Sequence, residues 1–145
     1  MAMIYLAHPY FADTVEGMQA NRKNAIRWGL WIASTFKIAV SADWIWWCEA
    51  LVETPENREL GLACDDQAIA KCDEFWMVGG RVSSGMARGR GVACDHRVLV
   101  RDLTVLGYTA PDFGTSLFHS SRDRLFSEFI VNTKLELHER GLIEL

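Results

Sequence analysis

Apolar residues run unbroken through Met3-Ile4-Tyr5-Leu6-Ala7 and stop at His8-Pro9, the pattern of a strand covered on both faces. The period then lengthens. Met18, Ala25, Trp28 and Ile32 recur at helical spacing, and Asp13 followed by Glu16 has the form of a capping box, which predicts a helix over 13–34. Apolar density returns over 36–41 as a second predicted strand. Thr54-Pro55 supplies an N-cap with proline at the first helical position, so a helix is predicted from there to Lys71, with Leu60, Cys64, Ala68 and Lys71 in register. A third strand is predicted over 74–79, a helix over 86–96 and a fourth strand over 97–100. Thr104-Val105-Leu106 reads as a fifth strand or as the fourth continued. A last helix from about 121, ended by Gly141, turns Leu125, Phe126, Phe129, Ile130, Thr133 and Leu137 inward.

Strands alternating with helical stretches imply crossover connections, hence an α/β fold with a parallel sheet and helices on both faces. No repeat or linker interrupts the pattern, which predicts one domain over 1–145. The segment 43–52 is harder to place. Trp44, Trp46 and Trp47 cannot all face one core, so either some line a cleft or subunit contact, or a wide core leaves one ring exposed.

Composition narrows the functional classes. The chain has 145 residues, half of them apolar, and a net charge of −4, which suits a single core and offers no broad basic face to nucleic acid or anionic membrane. The cysteines Cys48, Cys64, Cys72 and Cys94 lack metal-ligand spacing and read as reduced core residues, so no metal or cofactor is expected. No charged leader followed by an apolar stretch opens the chain and no apolar run has spanning length, so a cytoplasmic location is expected.

Ligands of parallel sheets bind outside the carboxyl ends of the strands. The turn after the third strand, with Arg81, Ser83, Ser84, Gly85, Met86 and Arg88, leads through small residues into a helix, the arrangement that presents backbone N–H groups to a phosphate. Arg81 and Arg88 add charge there, in a local cluster with Arg90, Arg97 and Arg101. His8, in the loop after the first strand, reads either as a ligand contact or as a structural residue.

The set Ile4-Tyr5-Leu6-Ala7-x-Pro9-Tyr10, Arg58-x-x-Gly61-Leu62-x-x-Asp65, Cys72-Asp73-Glu74-x-Trp76 and Gly79-x-x-x-Ser83-x-Gly85-Met86 resembles the nucleoside 2-deoxyribosyltransferase superfamily, over roughly residues 3–100. The resemblance implies a flavodoxin-like, doubly wound three-layer sandwich with a parallel sheet of about five strands, assembled as a homodimer or larger homo-oligomer. It implies cleavage or exchange of the N-glycosidic bond of a nucleoside or nucleoside monophosphate. Tyr5 then matches the tyrosine near the nucleophile, Asp65 the acidic residue that contacts the base and moves a proton, and Ser83 a phosphate-binding serine. The catalytic glutamate of the family falls on Gly89. Cleavage through an oxocarbenium-like sugar needs a carboxylate beside the anomeric carbon as well as an acid for the leaving base. Two readings therefore stand: an N-glycosidase or transferase with a repositioned carboxylate, and a nucleotide-binding protein without turnover. An oligomerising scaffold is a third. The substitution Gly89→Glu is expected to create or raise hydrolysis if position 89 faces the anomeric carbon.

Overall fold

A computed structural model describes residues 2–112 and 121–145, with side chains from 124 onward in the second stretch. Its elements are β1 (Met3–Ala7), α1 (Val15–Phe36), β2 (Ala39–Ser41), α2 (Trp44–Ala50), α3 (Pro55–Lys71), β3 (Glu74–Met77), α4 (Ser84–Asp95), β4 (Leu99–Asp102) and α5 (Ser121–Glu139). The strands form one sheet in the order β2-β1-β3-β4, and all three pairings are parallel. This is an α/β sandwich of generic flavodoxin-like topology.

Strand alternation assigns the helices to faces, because successive side chains point to opposite sides of a sheet. Ile4, Leu6, Trp76 and Val78 pack with Trp28, Trp31 and Ile32 of α1 and with Phe126 and Leu137 of α5. Tyr5, Ala7, Phe75 and Met77 point the other way, onto Trp44 of α2, Ile69 of α3 and Met86 and Ala93 of α4. Each central strand is thus buried on both sides, which is why its sequence shows no polar alternation.

The sheet has four strands among the described residues, not about five: Thr104–Leu106 forms a turn of 3-10 helix, closed by Gly107 at φ 94°. Other boundaries also move. Thr14, not Asp13, caps α1 by accepting the Gly17 N–H, and the helix continues through Phe36 to a left-handed Lys37. Phe36 is therefore a core residue of a helix rather than the first residue of β2. The Thr54 cap with Pro55 at the first turn of α3 is present as the sequence implies. Leu125 is exposed, unlike Phe126, Thr133 and Leu137 of the same helix. The segment 43–52 holds the short helix α2, and its rings divide: Trp44 is buried, Trp47 half-buried and Trp46 exposed. All four cysteines are free, but only Cys72 is a core residue: Cys48 and Cys64 are half-buried and Cys94, on the outer side of α4, is exposed. Among the described residues no helix is long and apolar enough to cross a membrane.

Candidate functional site

The carboxyl ends of β1, β2 and β3 gather two separate groups of polar side chains. The first lies between the sheet and helices α2 and α3. Tyr5 is buried on β1, its ring stacked on Phe75 of β3 with centroids 5.6 Å apart. Asp43 follows β2 and precedes α2, so the chain reversal there delivers a carboxyl group into the same layer. Trp47, one helical turn on, donates its indole N–H to Asp43 Oδ2 at 3.0 Å and covers Gly61 of α3. Trp44 donates to the Leu6 carbonyl at 2.8 Å, which pins α2 against β1. Asp65 comes from the facing side of α3. Its Oδ1 and Asp43 Oδ1 are both sealed from solvent, and neither has a hydrogen-bond partner.

Electrostatics follow from this placement. Burial pushes the Asp65 carboxyl up to about 8, and the neighbouring Asp43 carboxyl pushes it the same way. Asp66 adds to the rise and Arg88 opposes it. Burial raises the Tyr5 phenol, with the charges of Asp65 and Asp43 acting in the same direction. Burial and the Asp43 carboxyl thus act together to favour the protonated form of Asp65. Arg88 does not cancel the buried charge, because its guanidinium is held by Asp66 through two hydrogen bonds of 2.7 Å.

The second group is a network around the loop after β1. His8 is buried; with its proton on Nδ1 it donates to the Pro9 carbonyl at 2.6 Å, and Nε2 accepts from the Asn24 amide at 2.8 Å. Burial lowers its pKa to about 4, and the Arg81 charge also lowers it. The same Asn24 nitrogen donates to the Tyr108 carbonyl at 2.7 Å, and Asn24 Oδ1 accepts the Ala110 N–H. Trp28 also donates to the Tyr108 carbonyl. Both ring nitrogens of His8 are thus engaged within the protein, the structural one of its two readings.

Gly79 and Gly80 let the turn after β3 close on this network. Both have positive φ (99° and 83°), and a Cβ would come within 2.7 Å of the His8 ring at Gly79 and 2.9 Å of the Tyr108 nitrogen at Gly80. The chain then enters α4. Ser83 caps it, its Oγ accepting the Met86 N–H at 3.2 Å, while the Ala87 N–H goes to the Ser83 carbonyl. Of the amides from Ser83 to Ala87, those of Ser84 and Gly85 lie in the first turn and face no helical carbonyl. Ser84, Gly85 and Arg81 are exposed, and Arg81 reaches the Phe11 carbonyl at 3.5 Å. Met86 is a core residue: buried, with its sulfur 3.4 Å from the Ser83 nitrogen.

Position 89 faces inward. A Cβ on Gly89 would lie 3.0 Å and 3.1 Å from the Phe75 ring and 3.4 Å from Ile69, so this side of α4 meets the packed layer under Tyr5 rather than open space. The expected gain of hydrolysis from Gly89→Glu loses its geometric basis, since a larger side chain there must first displace the Phe75 ring.

The structure thus brings Tyr5, Asp65 and the charge of Arg88 together, and separately His8 and Arg81. Asp43 joins Tyr5 and Asp65 with no motif in the sequence to mark it. An acidic residue placed just past a strand end and just before a helix was the available signal, hidden among tryptophans. Two surface cavities are lined by neither Tyr5, Asp43, Asp65 nor His8. One, of about 760 Å³, opens at the amino end of the sheet beside Lys37, Asp73 and Leu142. The other, of about 450 Å³, runs between α3 and α4 beside Arg58, Leu62, Asp66 and Arg88. Among the described residues no three His, Cys, Asp or Glu side chains gather as metal ligands.

No curated protein matches the chain. A family model spans β1 through β4 with Tyr5, Asp43, Asp65 and the turn into α4, and leaves α5 outside. By that match, over residues 2–103, the chain belongs to the family described as Domain of unknown function (DUF7768).

Proposed function

We propose that the protein acts on the N-glycosidic bond of a nucleoside or nucleoside monophosphate, with Asp65 as the acid that protonates the leaving base. The observation that carries this reading is a pair of carboxyl groups, Asp43 and Asp65, each with one oxygen sealed from water against the sheet, where burial and the neighbouring carboxyl raise the Asp65 pKa. A general acid has to hold its proton at working pH, and burial beside a second carboxyl accomplishes that. Asp43 is the carboxylate available to offset positive charge on the sugar, in place of the glutamate that the resemblance puts at Gly89. The exposed start of α4, with the Ser84 and Gly85 amides and Arg81 close by, suits a 5′-phosphate. A homo-oligomer accompanies this reading through the resemblance alone, and a cytoplasmic location through the expectation drawn from the sequence pattern.

The test is release of free base from a panel of nucleosides and monophosphates, followed by chromatography. Turnover abolished in Asp65→Asn and retained in Asp66→Asn supports the reading. Absence of base release across the panel overturns it.

One observation favours the second reading, nucleotide binding without turnover: Phe75 and Ile69 close off position 89. A thermal shift of several degrees with a monophosphate, and no released base, selects the binder.

A further inference from the structure

Two carboxyl oxygens, Asp43 Oδ1 and Asp65 Oδ1, are removed from water in one small layer of the protein, neither with a well-formed hydrogen bond, and the Asp43 carboxyl is a hydrogen-bonding neighbour of both Asp65 and Tyr5. Leaving two ionised carboxylates in that state is costly, and proteins avoid it with a cation, a metal or a proton. The charged and titratable groups that face Asp65 are Asp43, Asp66, Arg88, Tyr5 and Cys48. Arg88 is the cation among them, and both of its terminal nitrogens are bound to Asp66. Tyr5 and Cys48 are themselves driven toward their neutral forms by burial, with Asp65 contributing. Arg88 therefore offsets the buried charge only in part, and a proton is what remains.

The two carboxyls are not equivalent. Asp43 receives the Trp47 indole N–H on Oδ2, and a donated hydrogen bond favours the charged form of its acceptor. Asp65 receives none on its sealed oxygen. We propose that Asp43 and Asp65 hold a single proton between them, Asp43 carrying the charge and acting as the positioning residue that keeps the proton on Asp65. As a role in catalysis this rests on the glycosidic reading above; as a statement about the two carboxyls it does not.

Carboxyl carbon-13 NMR of the full chain, labelled at aspartate, reads the proton directly. Wild-type protein is expected to show one aspartate titrating near pH 8, and Asp65→Asn to remove that signal. Asp43→Asn is expected to weaken the affinity of Asp65 for its proton at least tenfold, moving the titration toward acid, and Asp43→Glu to restore it. Asp43→Ser, which keeps a capping side chain before α2, serves the same purpose should Asp43→Asn fail to fold. If base release occurs, its alkaline pH limb moves down with the titration in the same variants. An Asp65 titration unmoved in the folded Asp43 variants overturns the inference, as does a wild-type protein with no aspartate titrating above pH 6. A shifted titration in a protein that releases no base sustains the proton-sharing pair and sinks only the glycosidic reading.

Discussion

Glu74 and Asp65 are both carboxylates drawn out of water on opposite faces of the sheet, and their neighbours treat them differently. Glu74, fully buried on β3, receives Arg101 Nε at 2.5 Å and Arg101 Nη2 at 3.2 Å, the Trp76 indole N–H at 2.8 Å, and Arg140 from just beyond α5. Arg101 also pairs with Glu136 and lies over the Trp76 ring. Asp65 meets a second carboxyl and an arginine already engaged elsewhere. The first arrangement fastens β4 and the end of α5 to β3. The second stores a titratable proton near the carboxyl rim. A buried carboxylate matched on all sides serves architecture, whereas a buried carboxyl left unmatched takes up a proton and is the kind that chemistry uses.

The sharpest way to break this contrast is to unmatch Glu74. Glu74→Gln leaves two arginines facing a neutral amide and is expected to cost about 3–5 kcal/mol, measured by urea denaturation. On the other face, Gly89→Glu forces a side chain against Phe75 and is expected to destabilise by about 1–3 kcal/mol without creating hydrolysis. Retained stability in that variant would show that the layer under Tyr5 yields more readily than its contacts imply.

The pH dependence comes next in size. Asp65 binds its proton more tightly folded than unfolded, so its contribution to stability declines as pH rises from about 4 to about 8. His8 works the other way: its pKa is lowered to about 4, so stability rises with pH from about 4 to 6.5. The two slopes oppose each other in acid, and the Asp65 slope stands alone between about pH 6.5 and 8. Over that window wild-type stability is expected to fall by on the order of 1 kcal/mol after solvent screening, and Asp65→Asn to flatten the decline. Denaturant midpoints at intervals of pH supply the measurement. The smallest effect belongs to the exposed pair on the α3–α4 surface: Arg88→Gln is expected to change stability by less than about 1 kcal/mol, and less again in high salt.

These two carboxylates were unequally visible in the sequence. The strands and the Thr54-Pro55 helix start were legible because apolar period and capping chemistry are local signals. Asp65 is visible through its place on the predicted helix after Pro55 and through the resemblance, whereas Asp43 is masked because the surrounding rings dominate that stretch of chain. The predicted strand over 74–79 begins at Glu74, yet the arginine partners of that residue lie 27 and 66 positions away on β4 and beyond α5. No periodic pattern reports a pairing at that distance. Phe36 misled for a related reason: an apolar residue before a short strand looks like its beginning, while packing against Trp31 and Trp76 keeps it in the helix. The inward aspect of Gly89 was equally hidden, since a glycine carries no hydropathic sign of which way it faces.

The amide of Asn24 has a consequence for whatever settles at the carboxyl rim. By tying His8, the Tyr108 carbonyl and the Ala110 nitrogen to one helix, it joins the stretches that follow β1 and β4 before any visitor arrives. A guest meeting walls already braced spends little of its affinity on stiffening them, so selectivity there follows shape rather than accommodation.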